Sequence, residues 1–246
     1  PTTKFSKTTV NPRIAIKYEL TPSLVLRANV GTGFRAPYGF SEDLHLCSGS
    51  PRVWKSSNLK GERAISYNLS ADYYAKKYQF SINIFRTNLK DKIQFSPADD
   101  EVKKFGYSYQ WENVDDAYVQ GVELGAKANL FRNFNAGINW TFNQGKFKHE
   151  RADWSDPNDE TVKEFPQRLQ YAKDSRNISR FPAMTGDIDL DYTPGTWTFS
   201  LTSSLQGRMF IDYNSEDDGA TSKIKKTNTF MIFNCRAAKR FGTCTV

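Results

Sequence analysis

Runs in which apolar and polar residues alternate recur along this sequence. In the runs at residues 24–30, 65–73, 122–128, 136–142 and 188–192, every second residue is apolar. Because successive side chains of a β-strand point to opposite faces, each run predicts a strand with one apolar and one polar face. A soluble β-sandwich alternates in the same way, so alternation by itself does not separate a sandwich from a membrane-spanning β-barrel.

The connections between these runs favour the barrel. We predict tight turns at residues 20–23, 75–77, 132–133 and 193–196, and long connections at residues 35–61, 96–106, 150–180 and 211–226. Compact soluble domains mostly use connections of about 4–6 residues. Short periplasmic turns at one end and long extracellular loops at the other are typical of a transmembrane β-barrel.

Aromatic residues flank nearly every predicted tight turn: Tyr18, Tyr74, Tyr78, Phe131, Phe134, Tyr192 and Trp197. Tyr and Trp are enriched where a protein crosses from hydrocarbon to headgroup, so this placement predicts an interfacial girdle. The alternative is that aromatic residues are simply common in strands.

Composition is compatible with a barrel. The chain has 246 residues, of which 38% are hydrophobic, and a mean hydropathy of -0.64. It contains no apolar run near the ~20 residues of a transmembrane helix, so we expect any membrane crossing to be made by strands. No signal peptide pattern is present, so we expect a targeting segment to lie outside this chain.

Charge is distributed without a nucleic-acid-binding pattern. The net charge is +7, yet the basic residues are spread along the chain without a stacking-aromatic motif, and we expect no nucleic-acid partner. Acidic residues cluster in the predicted loops: Asp99, Asp100 and Glu101; Asp153, Asp156, Asp159 and Glu160; Glu216, Asp217 and Asp218. We interpret these clusters as solvated loop charge, with loop-bound calcium as the alternative.

The three cysteines allow one disulfide hypothesis. Cys235 and Cys244 are placed symmetrically about Lys239 and Arg240, so a tight turn there would set the two cysteines opposite each other across a hairpin. An oxidising periplasm would permit that bond, although directly opposed strand positions often have unfavourable disulfide geometry. Cys47 would then remain unpaired in a long loop.

Catalytic patterns are nearly absent. The two histidines, His45 and His149, are far apart in sequence and belong to no metal-binding or nucleophile motif. Residues 31–36 loosely fit a dinucleotide-binding glycine fingerprint, but Pro37 follows where that fingerprint requires a helix. We therefore predict that the protein is not an enzyme and has no catalytic residues, resident cofactor or metal site.

Several motifs, in order, resemble the barrel of a TonB-dependent outer-membrane receptor. They are Asn-Pro-Arg-Ile at residues 11–14, Gly-Thr-Gly-Phe-Arg-Ala-Pro at 31–37, Glu-Asp-Leu-His at 42–45, the strand at 59–72, Asn113-Val114 with Ala117 and Gly121-Val122-Glu123, and Arg180, Pro182 and Tyr192. The resemblance covers residues 11–210. Within the family, the arrangement is most similar to receptors of the Bacteroides group that import siderophores, haem or cobalamin.

The resemblance implies an all-β, antiparallel transmembrane barrel of 22 strands, filled by an N-terminal plug that couples to the TonB complex. We count about eight complete strands here, two of them within residues 62–95 and two within 107–147. Residues 1–246 would then be an 8–10-strand segment of one barrel domain in a bacterial outer membrane. The plug and the barrel closure would lie outside this chain.

The implied function is active import of a scarce metal chelate that binds first to the extracellular loops. The candidate ligand-binding residues are Arg35, Glu42, Asp43, His45, Trp54, Trp111 and Trp154. Arg35 has the alternative role of pairing with lumen carboxylates, and His45 that of a solvated loop residue. Alternative functions are a passive porin, an adhesin barrel, a TonB-dependent oligosaccharide importer and a soluble β-rich binding module.

Overall fold

The computed structural model describes residues 8–37, 53–55, 58–107, 109–158, 162–163, 166–214, 222–242 and 244–245. The strands are Arg13–Thr21 (β1), Leu24–Arg35 (β2), Val53–Lys55 (β3), Glu62–Tyr74 (β4), Tyr78–Lys90 (β5), Ile93–Pro97 (β6), Tyr109–Asn113 (β7), Ala117–Phe131 (β8), Phe134–Phe147 (β9), Met184–Tyr192 (β10), Trp197–Gln206 (β11), Phe210–Asn214 (β12), Ser222–Lys226 (β13), Phe230–Phe241 (β14) and Cys244–Thr245 (β15). The helical segments include Asp100–Lys103 (α1), Ala152–Ser155 (α2) and the 3-10 helix Pro166–Asp174.

Within these residues, ten strands form one antiparallel sheet in the order β1-β2-β4-β5-β8-β9-β10-β11-β14-β15. Short connections join β1 to β2, β4 to β5, β8 to β9 and β10 to β11 at one end, which we call the short-turn end. The long connections lie at the opposite, long-loop end. The predicted antiparallel sheet, its tight turns and its long loops are thus confirmed. Among the described residues, no helix is long and apolar enough to cross a membrane.

One face of the sheet, here called the outward face, is apolar across five strands. The strand register aligns three successive rows of outward residues: Ala28, Leu69, Ile84, Val122 and Phe142; Leu26, Ala71, Ile82, Leu124 and Trp140; and Leu24, Tyr73, Phe80, Ala126 and Ile138. The large members Leu69, Ile84 and Phe142 are exposed. An unbroken apolar surface of this kind is typical of contact with lipid hydrocarbon.

The opposite, inner face is polar and its side chains pair across strands. Arg27 forms an ion pair with Asp72. Cross-strand hydrogen bonds run from Asn68 to Asn29 (3.0 Å), from Asn83 to Glu123 (2.8 Å) and from Asn139 to Asp187 (2.7 Å). These inner-face residues therefore satisfy one another's polar groups, as expected for a wall that faces a polar lumen.

The short turns use residues suited to them. Asn133 has a φ of 67° and Gly195 a φ of 61°, both in the left-handed region that asparagine and glycine tolerate best. Next to the β8–β9 turn, the rings of Phe131 and Phe134 stack with centroids 4.8 Å apart, and Tyr192 lies 6.3 Å from Phe134. Aromatic side chains therefore surround the short-turn end as predicted.

The Gly121 position of the Gly-Val-Glu motif has a packing reason. A Cβ atom there would collide with the ring of Phe85 on β5 and the carbonyl oxygen of Phe142 on β9. Glycine thus lets the Phe85 ring lie across β8 on the inner face of the sheet.

The predicted strand limits are wrong around the connection from β5 to β8. The barrel strand β5 ends at Lys90, where Asp91 turns the chain with a φ of 53°. The segments Ile93–Pro97 and Tyr109–Asn113, which we had placed in barrel strands, pair instead with each other and with β3 in a separate sheet. The connection between barrel strands therefore runs over residues 91–116 and carries its own structure.

The predicted pairing of Cys235 with Cys244 across a hairpin is also wrong. Strand β14 continues to Phe241, and the turn follows at Gly242, whose φ is 59°. Phe241 then pairs with Cys244, whereas Cys235 pairs with Leu201 of β11 on the outward face. Cys235 is a free, exposed thiol. Cys47 lies outside the described residues.

Candidate functional site

Charged side chains meet where the barrel strands end at the long-loop end. We call this group the rim network: Arg35, Glu62, Lys92, Asp115 and His149. The antiparallel register places Arg35, the last residue of β2, opposite Glu62, the first residue of β4. The Arg35 guanidinium lies 3.8 Å from the Glu62 carboxylate. Glu62 also accepts a hydrogen bond from the Ile93 N–H (2.9 Å), which ties the loop sheet to the barrel wall.

Lys92 completes the positive side of the network. Burial lowers the pKa of Lys92, and the nearby Arg35 charge lowers it further, while the Glu62 carboxylate opposes the shift. Its ammonium also lies 5.8 Å from the centre of the Phe147 ring. In this part of the rim network, two cations, Arg35 and Lys92, therefore lie near the Glu62 carboxylate.

Asp115 anchors the start of the loop that follows β9. It accepts hydrogen bonds from the His149 backbone N–H (2.8 Å) and pairs with the His149 ring nitrogen Nδ1 (3.1 Å). Desolvation acts to raise the pKa of Asp115, but the hydrogen bonds from His149 and from the Asp116 N–H outweigh it, so the pKa lies below its ordinary value. The ionised carboxylate therefore links two loops, and we call its contact with His149 the Asp115 staple.

Asn113 of the Asn-Val motif holds two loop segments together through hydrogen bonds of its side chain. Its side-chain oxygen accepts the Lys60 N–H (2.7 Å), and its amide donates to the carbonyl oxygens of Lys60 (3.0 Å) and Asp91 (2.7 Å). One side chain thereby fixes two loop segments above the barrel. Sequence analysis identified this motif only by resemblance, without its role.

The sheet of β3, β7 and β6 carries an aromatic cluster on its surface. The ring of Phe105, which is 70% exposed, stacks on Trp54 with centroids 6.2 Å apart and an interplanar angle of 14°. Tyr107 contacts Trp54 edge-on at 5.0 Å. We call Trp54, Phe105 and Tyr107 the aromatic platform. Trp111 of β7, by contrast, is buried, with 3% of its surface exposed.

The connections after β9 and β11 form a second structured unit, the loop lobe. Trp154 of α2, Phe210 of β12 and Ile224 of β13 make its core, with Tyr171 of the 3-10 helix packed against them. Trp154 has no exposed surface and meets Phe210 edge-on at 5.4 Å. The Arg151 guanidinium lies 4.8 Å from the centre of the Trp154 ring.

The structure separates the predicted ligand-binding residues. Arg35 joins the rim network, Trp54 belongs to the aromatic platform, and Trp111 and Trp154 are buried in two different loop units. Glu42, Asp43 and His45 lie outside the described residues. Ligand binding by these residues stays a prediction, and the burial of Trp111 and Trp154 gives both a packing role.

Sequence analysis missed Glu62, Lys92 and Asp115 as partners in the rim network. The register of neighbouring strands could have found Glu62, because β2 and β4 are consecutive barrel strands. No group of three or more His, Cys, Asp or Glu that could hold a metal ion occurs in the part of the chain that the structure describes. Loop-bound calcium therefore stays an untested alternative.

Sequence comparison matches this arrangement to a known family. A family model described as TonB dependent receptor-like, beta-barrel matches residues 1–245. The chain belongs to the TonB-dependent receptor family. Members of this family are outer-membrane β-barrel transport receptors of Gram-negative bacteria rather than enzymes, which places this chain in an outer membrane.

Curated relatives within the TonB-dependent receptors match part of the chain. It is 33% identical to the vitamin B12 transporter BtuB of Photobacterium profundum over 116 residues, which cover 46% of this chain and 17% of that protein. It is 27% identical to the ferric enterobactin receptor of Pseudomonas aeruginosa over 151 residues, which cover 54% of this chain and 20% of that protein.

Solved structures share the fold. The siderophore receptor PirA from Acinetobacter baumannii has a TM-score of 0.64 at 17% identity, covering 95% of this chain and 35% of that chain. The ferric citrate transporter FecA has a TM-score of 0.63 at 19% identity, covering 94% of this chain and 31% of that chain. This TonB-dependent receptor chain thus spans about a fifth of these curated relatives and about a third of these solved chains.

Proposed function

We propose that this chain forms part of a receptor that binds a scarce metal chelate at its extracellular loops and imports it with TonB-supplied energy. The chelate class would be a siderophore, haem or cobalamin. The aromatic platform is the observation that carries this proposal. It presents the exposed ring of Phe105, backed by the partly buried rings of Trp54 and Tyr107, on a loop sheet that the rim network and Asn113 fix above the barrel wall.

The chemistry of the platform suits a ring-rich ligand. A preordered aromatic pair stacks on a flat ligand with little loss of side-chain entropy. Beside the rings, Lys103 is paired with Asp100 (3.1 Å), so ring stacking and not local charge is what favours the ligand. The names of the relatives, a vitamin B12 transporter and a ferric enterobactin receptor, agree with ligands of this class.

A matched pair of variants tests the platform. Phe105→Ala should weaken binding of the chelate that the receptor prefers by about tenfold, because stacking of one aromatic ring on a flat ligand contributes about 1–3 kcal/mol. Phe131→Ala removes an equally stacked ring at the short-turn end and should leave binding unchanged. Binding is measured by quenching of tryptophan fluorescence with a ferric catecholate, haem and cobalamin. Equal affinities of both variants and the parent would contradict the role of the platform.

Energy coupling separates import from passive alternatives. Cells that carry the whole protein are given the bound chelate as their source of iron or cobalamin, with and without a functional TonB system. Growth only with TonB supports the proposal. TonB-independent uptake would instead indicate a porin. Absence of chelate binding, together with attachment to host cells, would indicate an adhesin. TonB-dependent growth on a glycan would indicate an oligosaccharide importer.

A further inference from the structure

The strand pairing between β9 and β10 is interrupted at the long-loop end. Met184, where β10 begins, pairs with Phe142 of β9. Farther from the short turns, Asn177 forms an antiparallel bridge with Lys146. Three residues of β9 thus lie opposite the six residues 178–183. The extra residues make a β-bulge, a distortion that is over-represented at the rims of barrels and next to functional sites.

Arg180 has an unusual backbone conformation inside this bulge. Its φ is 57°, in the left-handed region that is unfavourable for a residue with a Cβ atom. Its side chain is exposed, so packing of that side chain does not explain the conformation. The Arg180 N–H, however, donates a hydrogen bond to the carbonyl oxygen of Phe210 (2.6 Å). Strained backbone of this kind persists only where its surroundings hold it, and it clusters in clamps and switch regions.

Two links join the bulge to the loop lobe. The first is the bond to Phe210, which lies in the lobe core with Trp154 and Ile224. The second starts at Ser179, whose hydroxyl accepts a hydrogen bond from the Arg151 guanidinium (3.3 Å). That guanidinium lies over the Trp154 ring. Both links therefore lead from the bulge to the same buried side chains of the lobe.

The other side of the bulge rests on the barrel wall. The Ile178 N–H donates to the carbonyl oxygen of Gly145 on β9 (3.1 Å). A Cβ atom at Gly145 would lie 3.0 Å from the Phe181 ring and 3.2 Å from the Ile178 side chain, so glycine allows both to approach the strand closely. Gly145 is three residues from the outward-facing Phe142 and thus points to the inner face. The bulge side chains therefore lie on the lumen side of the wall.

We propose that residues 179–182 form a latch between the loop lobe and the barrel wall, with Arg180 as its positioning residue. In the latched state Arg180 is left-handed and its N–H is bonded to Phe210. When that bond breaks, Arg180 returns to a negative φ, and the lobe moves as one unit because it keeps its own hydrophobic core. Since the bulge lies on the lumen side, this movement changes access to the lumen. The latch is independent of which chelate the receptor transports.

A pair of neutral variants of the whole receptor tests the latch. Arg180→Asn and Arg180→Val both remove the charge, but asparagine tolerates the left-handed region and a β-branched residue does not. Spin labels at positions 90, at the end of β5, and 173, in the 3-10 helix of the lobe, measure the distance between wall and lobe after all native cysteines are replaced by serine. A second, released distance should be populated at least about tenfold more in Arg180→Val than in Arg180→Asn. Arg180→Asn should populate it no more than the parent does.

A second pair acts on the latch through the wall. Gly145→Ala places a methyl group against Phe181 and Ile178, so it should release the lobe as Arg180→Val does. Gly137→Ala, on the same inner face of β9, brings its methyl group only to an ordinary contact of 3.8 Å with Asp189 and should leave the lobe latched. The same pair of spin labels measures both variants.

Hydrogen exchange separates release of the lobe from its unfolding. In Arg180→Val, the amides of residues 178 and 180 should exchange faster, while those of the β12–β13 ladder keep the protection of the parent. Loss of protection in that ladder as well would show that the lobe unfolds and would overturn the latch. Equal distance distributions within the Arg180 pair would also overturn it. If Arg180→Val does not fold, equal distributions within the glycine pair would have the same meaning.

Discussion

The ten-stranded sheet and the loop lobe bury opposite kinds of surface within one chain. In the sheet, large apolar residues such as Leu69 and Phe142 are exposed on the outward face, and polar residues such as Asn68 pair on the inner face. In the loop lobe, Trp154 is completely buried with Phe210 and Ile224. The sheet is arranged for lipid outside and a polar lumen inside, whereas the lobe has a hydrophobic core as a small water-soluble unit does.

This difference predicts that the two regions lose stability independently. The sheet depends on backbone hydrogen bonds between neighbouring strands and on lipid contact. The lobe depends on a few large side chains, so a single truncation should affect it strongly. The three predictions that follow test this separation, from the largest expected effect to the smallest.

The largest effect is expected for Trp154→Ala. Removing a fully buried Trp from a core costs about 3–5 kcal/mol, and the lobe has few other buried apolar side chains to compensate. Limited proteolysis should therefore cleave residues 148–183 and 207–229 much faster, while the barrel strands remain protected. Trp197→Ala, at a half-exposed ring beside a short turn, is the control and should leave the lobe protected. Loss of protection in β8 and β9 as well would show that lobe and sheet unfold together.

A smaller but global effect is expected from charge on the outward face. Leu201→Arg places a cation on the lipid-facing side of β11, and in lipid this costs about 2–4 kcal/mol near the bilayer midplane. Thr202→Arg, one residue further along the same strand, points to the inner face and should cost less than about 1 kcal/mol. The free energy of unfolding is measured by urea titration in lipid vesicles. Equal losses for both variants would mean that the two faces have been assigned wrongly.

The sequence predicted the sheet well because its signal is local. Alternation such as that in residues 136–142 directly indicates a strand with one apolar and one polar face. The strand limits near Ile93 and Tyr109 were wrong because the short run Ile-Gln-Phe also alternates. Only its pairing with β7, which itself pairs with the distant β3, shows that it leaves the barrel. Local alternation does not reveal which distant segment a strand joins.

The candidate site was less predictable for the same reason. Arg35 could be found from its place at a strand end, and its partner Glu62 follows once the strands are paired in register. The contact of Asp115 with His149 joins residues 34 positions apart in two loops, so no periodicity indicates it. Trp111 and Trp154 were predicted as ligand contacts because aromatic residues in hydrophilic loops suggest binding, whereas both rings are buried within loop units and Trp154 forms a core with Phe210 and Ile224.

The smallest effect is expected at the Asp115 staple, and it depends on pH. Because the folded pKa of Asp115 lies below the value of about 3.9 in an unfolded chain, its contribution is fully present above that pH and is lost as the pH falls through the folded pKa. Asp115→Asn should therefore destabilise the loop at residues 147–151 by about 1 kcal/mol at neutral pH.

Hydrogen exchange of this loop, compared between parent and variant at each pH, measures the difference. The two proteins should converge once the pH has fallen through the lowered pKa of Asp115, because the parent carboxylate is then also protonated. Asp100→Asn, at an exposed carboxylate on α1, is the control and should match the parent at every pH. A difference between parent and Asp115→Asn that persisted at low pH would assign the effect to loop packing instead of charge. The attachment of this loop to the barrel rim would then not depend on an ionised side chain.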